Sequence, residues 1–418
     1  MRAERTDVVV CGAGVAGLAA AHALGGLGLR VVLLDKLTSW TTAAKGEVLQ
    51  PGALDILRSW GVAEKLEGQG ALRLSRLVAR DRDGNPKMSL DYDQLPGAHT
   101  WLLAADHATI LATLAETLPP SVDFRRGVLV REALRDADGR ITGVALEGTE
   151  LSAALVVAAD GVSSRLRKGI SAQAAKKDYP HRLVALDVPD ATVPADFTAY
   201  ITDRGLRLCY PLPGGRARLY VQTEPNELRG LDGDKRQRWT EALVAELPAL
   251  APLTAGLPES LTTRQTLPVS RFLATQLAAP GLALVGESGH VVHPMAAQGM
   301  NSAITDAHAL AKHLADGSAL APSDVDEATR GYERERLPAL EHIGQTSHNA
   351  ARMLTDLSWL GRTLGRRALR HTGANNRLRY TVMHNMSGLG AHRLSPLDRL
   401  HQIGLLPDPR ARRRPSWA

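Results

Sequence analysis

The stretch from Thr6 to Lys36 constrains the fold of this chain more than any other. It begins with a charge-free run of valines at positions 8–10, which is typical of a buried parallel strand. A glycine-rich turn follows, then a helix of small residues over 16–27 and a second apolar strand over 31–34 that ends at Asp35. This order of strand, turn, helix, strand and acid predicts a βαβ unit that binds a dinucleotide.

Each glycine of the turn has a mechanical role. Gly12 permits the tight turn, Gly14 lets the backbone approach a pyrophosphate, and Gly17 lets the helix pack close to the strand. The amides at the start of the helix carry a partial positive charge, which favours phosphates. Asp35 stands where a ribose hydroxyl needs an acceptor, so FAD or NAD is favoured over NADP. FAD and NAD both stay open at this point, and a glycine-rich turn without a ligand is the alternative.

The composition is that of an ordinary globular protein. Hydrophobic residues make up 44% and charged residues 22% of the 418, so two or three substructures and a large core are possible. No apolar run approaches the ~20 residues of a membrane span and no signal-peptide pattern is present, so a cytoplasmic location is expected. Cys11 and Cys209 form neither a metal motif nor a disulfide framework. The +6 charge, with a solvated arginine tail at 412–414, predicts no nucleic-acid partner.

A second motif follows the apolar run over 155–159. Asp160 and Gly161 end that run, and the spacing D-G-x-x-S-x-x-R continues through Ser164 to Arg167. An acid–glycine corner at the end of a buried strand can place a carboxylate and backbone amides on a ligand. A plain D-G turn is the alternative.

A third motif follows the apolar run over 280–285. Gly286 and Glu287 repeat the pattern of a carboxylate beside a glycine, and a helix is predicted over 301–314 with free amides at its start. Histidines near this loop do not share one helical face, so no metal site is expected. These histidines are His290, His293, His308 and His313.

The middle of the chain changes character. Residues 180–275 contain short runs of valine, leucine, tyrosine and threonine between turn signals, which predicts an antiparallel sheet inserted into the first domain. The stretch 75–92 predicts a β-hairpin, and 325–360 predicts a long helical region before short arginine-rich helices. Polar and aromatic side chains of the inserted sheet either fill its core or contact a substrate. The substrate candidates are Tyr200, Arg207, Tyr210 and Tyr220.

With the three motifs in this order, the chain resembles the single-component FAD-dependent monooxygenases of the para-hydroxybenzoate hydroxylase family. The stretch 46–52 is similar to the squalene-epoxidase-like branch, and Y-E-x-x-R-x-P from Tyr332 is similar to the family's next helix. The resemblance implies an α/β fold with a Rossmann-like FAD-binding domain, an inserted antiparallel β-sheet substrate domain and a helical C-terminal region. The implied limits are 1–75, 100–180 and 270–340 for the FAD-binding domain, 76–99 and 181–269 for the substrate domain, and 341–418 for the C-terminal helices and tail.

The resemblance also implies a role for each motif by position. Pro294 and Gly299 would be catalytic, and amides at the start of the following helix would stabilise negative charge on reduced flavin. The implied cofactor-binding residues are Gly12, Gly14, Ala16, Gly17, Asp35, Lys36, Lys45, Gly46, His107, Asp160, Gly161, Gly286, Glu287, Gln298, Gly299, Met300 and Asn301. The chain departs from the family at Glu287, usually Asp, at Ser288-Gly289, usually two alanines, at Ala296, often glycine, and at His107, usually arginine. These changes keep a carboxylate and small residues, so FAD binding is still expected.

The activity implied is NAD(P)H- and O₂-dependent hydroxylation or epoxidation of a small organic substrate through an FAD C4a-hydroperoxide. One alternative is an FAD-dependent dehydrogenase or reductase of the same fold without oxygen insertion. Another is a flavoprotein that has lost catalysis and serves as a binding module. The substrate, the choice between NADH and NADPH, and the choice between monomer and homodimer stay open.

Overall fold

A computed structural model describes residues 4–40, 46–170, 172, 175–315 and 320–418, so Lys45 lies outside the described residues. The strands are β1 (Glu4–Cys11), β2 (Val31–Asp35), β3 (Val48–Leu49), β4 (Leu72–Leu74), β5 (Arg76–Arg80), β6 (Pro86–Asp91), β7 (Leu102–Ala104), β8 (Val122–Arg126), β9 (Glu132–Arg135), β10 (Ile141–Ala145), β11 (Glu150–Ala158), β12 (Lys177–Val188), β13 (Asp196–Thr202), β14 (Gly205–Leu212), β15 (Arg216–Thr223), β16 (Gln265–Leu273), β17 (Ala278–Ala279), β18 (Leu282–Leu284) and β19 (His290–Val291). The α-helices are α1 (Val15–Gly25), α2 (Pro51–Ser59), α3 (Val62–Gly68), α4 (His107–Glu116), α5 (Arg165–Gly169), α6 (Gly233–Glu246), α7 (Leu257–Ser260), α8 (Gln298–Ala315), α9 (Pro322–Thr355), α10 (Trp359–Gly373), α11 (Asn376–Met386) and α12 (Pro396–Gln402).

The first sheet has the strand order β17-β18-β11-β1-β2-β8, with β10 and β9 continuing from β11. Strands β18, β11, β1, β2 and β8 run parallel, so their carboxyl ends share one edge. Val8, Val9 and Val10 are fully buried, as the charge-free run predicts. Nearly all of α1 is also buried, because it lies between this sheet and α8. The predicted βαβ unit is confirmed.

The second sheet has the order β19-β16-β12-β15-β14-β13-β5-β6 and is antiparallel except where β13 meets β5. The predicted hairpin is confirmed as β5 and β6, and it forms one edge of this sheet. The sheet has two buried faces. The face with Leu208 and Tyr210 packs with Met295 and Met383, and we call it the inner face. The opposite, outer face carries Cys209 and packs under the region of α6 and α7. The limits of the two domains stay predictions.

The helices of the structure begin and end at other residues than the sequence predicts. Helix α8 begins at Gln298 rather than at the predicted residue 301, because Ala297 adopts a left-handed conformation (φ 50°) that ends the preceding 3₁₀ turn. Residues 298–300 therefore belong to the first turn of the helix. The long helix predicted over 325–360 is α9, which continues through Pro338 and ends at Thr355. Helix α11 covers the inner face with Tyr380 and Met383.

Candidate active site

The three sequence motifs meet at the carboxyl edge of the first sheet. They follow β1, β11 and β18, which are neighbouring parallel strands. A Cβ atom added to Gly12 would lie 2.4 Å from the carbonyl oxygen of Ala159, the residue before Asp160. A Cβ on Gly286 would lie 2.5 Å from the Cβ of Ala16. Ligands of open α/β sheets bind outside this edge, so all three motifs lie where a ligand is expected.

Two glycines of the first loop are required for packing. Gly12 has φ +103°, a left-handed value that favours glycine. A Cβ on Gly17 would lie 1.7 Å from the carbonyl oxygen of Gly12, so the helix can approach the turn only without a side chain. Both roles agree with those expected for a dinucleotide-binding turn.

The third glycine faces open space. A Cβ on Gly14 would have no heavy atom within 4 Å. No side chain caps α1, and its first turn contains no acidic residue, so its amides and partial positive charge are available to an anion. Asp35 accepts from the amides of Ala13 (2.5 Å) and Leu37 (2.7 Å), which fixes its carboxylate beside the loop. Lys36 is exposed next to it. These features fit the ADP half of FAD.

The side chains of the second motif form hydrogen bonds mainly with backbone groups. The carboxylate of Asp160 accepts from the amide of Arg165 at 2.8 Å, at the start of α5. Arg167 donates to the carbonyl oxygen of Ser288 at 2.5 Å and thereby ties this loop to the third motif. Gly161 has φ +80° with open space where a Cβ would be. Asp160 and Gly161 thus lie at the common edge, with the Asp160 side chain partly used as a helix cap.

The third loop is held by a buried charged cluster. Asp306 in α8 contacts Nε2 of His290 at 2.7 Å and Nε of Arg336 at 2.8 Å, and it accepts from the amide of Gly286 at 3.0 Å. Burial opposes ionisation, but His290 and Arg336 outweigh it and lower the pKa of Asp306 to about 2. Glu287 lies in the same turn and is partly exposed. The cluster fixes the Gly286 loop against α8 and α9.

The start of α8 is built from side chains distant in sequence. Asn301 accepts from the amide of Gln50 at 2.7 Å and donates to the carbonyl oxygen of Val48 at 3.2 Å. Gln298 donates to the carbonyl oxygen of Met386 at 2.6 Å. A Cβ on Gly299 would meet nothing within 4 Å, so the first turn of α8 also borders open space.

The segment that begins at Gly46 lies beside this turn. A Cβ on Gly46 would lie 3.2 Å from Met300, and Gly46 has φ +79°. Nδ1 of His107, the first residue of α4, donates to the carbonyl oxygen of Gly46 at 3.0 Å. The exposed ring of Pro294 lies between the third loop and α8. The structure therefore gathers the described cofactor-binding and catalytic candidates along one edge.

A buried ion pair missed by the sequence analysis joins this edge to the inserted sheet. Glu47 is 3% exposed and contacts Nε (2.9 Å) and Nη2 (2.7 Å) of Arg218 in β15. The hydroxyl of Tyr210 donates to the same carboxylate at 2.9 Å. Burial first, then Tyr220 and the Glu47 carboxylate, raises the pKa of Tyr210 well above its usual value. The sequence signal for the ion pair of Glu47 and Arg218 is limited to a glutamate inside the 46–52 stretch, because the two residues lie 171 positions apart.

The substrate candidates divide between the two faces of the sheet. Tyr210 and Tyr220 lie on the inner face, near Glu47. Tyr200 lies on the outer face. Arg207 alternates with Leu206 and Leu208 and contacts Glu246 of α6 at 3.2 Å, so it also points outward. We therefore withdraw Tyr200 and Arg207 as substrate contacts and keep Tyr210 and Tyr220.

A histidine pair lies beside Pro294. The amide of Met295 donates to Nδ1 of His293, so the proton of this ring is on Nε2, which donates to Nε2 of His181 at 3.2 Å. Burial lowers the pKa of His293 to about 3 and that of His181 to about 4. Tyr179 packs against both rings. The pair is neutral at physiological pH, as its hydrogen bond requires.

A basic cavity of about 550 Å³ lies next to this pair, between β16, β19 and α9. Lys177 and Arg271 stand directly opposite each other on β12 and β16 and line it. The other ionisable side chains of the lining are Arg393, Arg399, His342 and one carboxylate, Glu341. Within the part of the chain that the structure describes, no carboxylate forms an ion pair with Lys177, Arg271, Arg393 or Arg399. The ring of His290 closes one side, and its Nδ1 is buried without a hydrogen-bond partner.

Two kinds of feature are absent from the described residues. Within 4–40, 46–170, 172, 175–315 and 320–418, no group of three or more His, Cys, Asp or Glu side chains could hold a metal ion. In the same ranges, no helix combines the length and the apolar composition needed to cross a bilayer.

Comparison with known proteins agrees with this geometry. The model of the FAD binding domain family matches residues 5–347. Squalene epoxidase erg1 of Schizosaccharomyces pombe is 25% identical over 350 residues, which are 80% of this chain and 73% of that protein. The 6-methylpretetramide 4-monooxygenase of Streptomyces rimosus is 29% identical over 324 residues, 75% of this chain and 76% of that protein. The structure of PqsL from P. aeruginosa in complex with 2-aminobenzoylacetate matches with a TM-score of 0.76 and 25% identity. The match covers 85% of this chain and 98% of the PqsL chain.

The chain therefore belongs to the FAD binding domain family, and it is an oxidoreductase of the FAD-dependent monooxygenase class. The resemblance to hydroxylases, the α/β fold class and FAD as cofactor are confirmed at this level.

Proposed function

We propose that this protein uses NAD(P)H and O₂ to insert one oxygen atom into a neutral, apolar organic substrate. Bound FAD would supply the redox chemistry, namely hydride acceptance from NAD(P)H and activation of O₂, of which one oxygen atom enters the substrate and the other leaves as water. The observation that carries the proposal is the meeting of two helix N-termini, each bordered by a glycine with open space, at one edge. That edge continues into the inner face of the inserted sheet through Glu47 and Tyr210.

Each group of residues has a proposed task. Gly12, Gly14 and the amides of α1 hold the diphosphate, and Asp35 binds the neighbouring ribose. The amides of α8 at Gln298 and Gly299 stabilise negative charge that develops on the reduced ring, a role that helix dipoles favour. Pro294 borders the same space and helps to exclude water from it.

The substrate class follows from the inner face. The side chains of its hydrophobic cluster are hydrocarbon, aromatic or thioether groups, and its charged groups pair with each other, Glu47 with Arg218 and Asp187 with Arg216. A charged substrate would lose its hydration there without gaining a partner, which is costly. We therefore infer a neutral aromatic, polyketide or terpenoid-like substrate, oriented by the hydroxyl groups of Tyr210 and Tyr220. The residues that line this side are Leu183, Ala185, Phe197, Leu208, Val269, Met295, Met383 and Met386.

The basic cavity is the proposed place for the phosphates of NAD(P)H. Like charges directly opposite each other in a sheet are destabilising, so the pair of Lys177 and Arg271 is best explained by an anionic ligand. We expect Arg271→Gln to raise KM for NAD(P)H about tenfold and to change kcat much less. Arg229→Gln, a change at an exposed arginine far from the cavity, is the matched control.

One experiment tests the activity. The purified protein is reduced anaerobically with NADH or NADPH and then exposed to ¹⁸O₂ in the presence of neutral phenols, polyketides, indoles or terpenes. We expect a yellow protein, faster flavin bleaching with one substrate class, and one ¹⁸O atom in its product. A colourless protein that takes up no FAD contradicts the proposal. Substrate turnover without ¹⁸O in the product supports the dehydrogenase or reductase alternative instead.

A further inference from the structure

The C-terminal part of the chain presents an unusual apolar surface. Within the described residues, nine of the twelve exposed large hydrophobic side chains lie between Leu357 and Trp417. Trp359 is 75% exposed and Leu360 is 58% exposed at the start of α10, and Leu405 is 63% exposed after α12. Soluble proteins tolerate single exposed apolar residues, but a concentration of them marks a binding surface.

These side chains lie on α10 and on the segment that follows α12, and α10 packs against α12. Leu360 and Leu364 lie one turn apart on α10, and Arg367 on the next turn donates to the carbonyl oxygen of Ile403 at 2.8 Å. Leu405 follows this contact by two residues. We call the set Trp359, Leu360, Leu364, Leu405 and Leu406 the C-terminal apolar surface.

The same region carries the positive charge of the protein. Residues 356–418 contain twelve arginines and three aspartates, without lysine or glutamate, so the preceding residues are net acidic despite the overall charge of +6. Arg370 and Arg412 are exposed, and no described carboxylate forms an ion pair with either. Arg370 lies on the exposed side of α10 between Trp359 and Leu360 in helical projection. Arg370 therefore shares one side of α10 with the apolar residues Trp359 and Leu360.

We propose that the C-terminal apolar surface docks onto a membrane whose surface contains anionic phospholipids. Tryptophan and leucine insert at the headgroup boundary, and arginines on the same helix bind the lipid phosphates. A fluid interface accepts protruding side chains without a matching groove. A second copy of the chain is a poor partner, because a twofold interface would bring the same arginines together. The protein would lie on the membrane rather than span it.

The test is vesicle co-sedimentation of the full FAD-loaded protein. Vesicles of phosphatidylcholine alone are compared with vesicles that contain about 30% phosphatidylglycerol, at low and high salt. We expect at least tenfold stronger binding to the anionic vesicles, weakened by salt. The Trp359→Ser/Leu360→Ser variant should lose about tenfold or more in binding. The Arg370→Gln/Arg412→Gln variant should lose about tenfold on anionic vesicles only.

Matched controls separate docking from general damage. Leu27 is 41% exposed in a turn of the first domain, so Leu27→Ser should bind vesicles normally. Leu405→Ser should bind them at least about fivefold more weakly. Arg229→Gln/Arg238→Gln removes two exposed arginines elsewhere and should also bind normally. The proposal is overturned if neither vesicle binds, or if Leu27→Ser and Leu405→Ser weaken binding equally. It is also overturned if the protein binds polyglutamate but no vesicle, or if Trp359→Ser/Leu360→Ser only converts a dimer into a monomer.

Discussion

The loop before α1 and the loop before α8 each place the start of a helix at the same edge, but they are held in different ways. The first is fixed by neighbours in sequence: Gly12 and Gly17 pack on each other, and Asp35 binds the amide of Ala13. The second is fixed by partners far away, through Asp306 to Arg336 and through Asn301 to the segment at Gln50.

The loop before α1 is therefore held mainly by local contacts, whereas the loop before α8 is held by contacts that form only in the complete fold. The first loop takes its shape mainly from contacts within one βαβ unit, with Ala159 of the neighbouring strand end packed against Gly12. The second takes its shape only after α8, α9 and the Gly46 segment have packed around a fully buried carboxylate. Variants of the two loops should therefore fail in different ways.

The largest effect is expected for Gly17→Ala. The added Cβ would lie 1.7 Å from the carbonyl oxygen of Gly12, so α1 must separate from the turn and the core between them opens. We expect no cooperative thermal unfolding and little soluble protein. Gly68→Ala is the control, because its Cβ meets nothing within 4 Å and it lies in helix α3. A Gly17→Ala protein that melts like the parent would mean that this turn is wrongly described.

The next comparison uses the two glycines with open space. Gly14→Val should fold, since nothing lies within 4 Å of its Cβ, but its side chain would occupy the place proposed for the diphosphate. We expect at least about 100-fold weaker FAD binding and a colourless protein. Gly299→Val should keep the yellow colour and lose turnover by about 10–100-fold, because it crowds the amides of α8. Equal loss of FAD in both variants would contradict the division of tasks between the two loops.

A third test compares the carboxylates that hold the loops. Asp306→Asn leaves His290 and Arg336 buried without a negative partner, so we expect a loss of about 3–5 kcal/mol in unfolding free energy. Asp35→Asn should cost about 1 kcal/mol or less, because Asp35 is partly exposed, while FAD binding weakens about tenfold. Urea unfolding and FAD titration measure the two quantities. A stability loss of the same size in both variants would show that the two loops do not differ in this way.

The pH dependence of stability should come in part from the histidine pair. Folding lowers the pKa of His181 to about 4 and that of His293 to about 3, from an ordinary value near 6.5. Their contribution is therefore complete above pH 6.5 and is lost as the pH falls towards these values. We expect the contribution of the pair to the unfolding free energy to drop by roughly 4 kcal/mol between pH 7 and pH 5, about half of it from each ring. His181→Gln keeps an acceptor for His293 and should flatten this slope, and an unchanged slope would exclude the pair as its source.

The same division explains which features were predictable. Gly12, Gly14 and Asp35 lie within one short stretch, so their spacing alone indicates their arrangement. The contact of Glu47 with Arg218 spans 171 residues, and that of Asn301 with Gln50 spans 251, so no local pattern could reveal them. Short runs of valine, leucine, tyrosine and threonine between turn signals predict the inserted sheet, but the side on which Tyr200 points depends on register with neighbouring strands, which is a tertiary property.

The smallest effect is expected at Glu287, where this chain departs from the aspartate usual in the family. Glu287 lies in the 3₁₀ turn held by the Asp306 cluster and is partly exposed, so water can replace part of any hydrogen bond it makes to FAD. We expect Glu287→Ala to weaken FAD binding by about 1 kcal/mol, and Glu287→Asp to change it by only a few tenths, because the turn rather than the side-chain length sets the position of the carboxylate. FAD titration followed by fluorescence quenching resolves both values. A larger loss in Glu287→Asp than in Glu287→Ala would mean that the extra methylene fits a specific partner, and that the second loop is tuned as tightly by its side chains as the first is by its glycines.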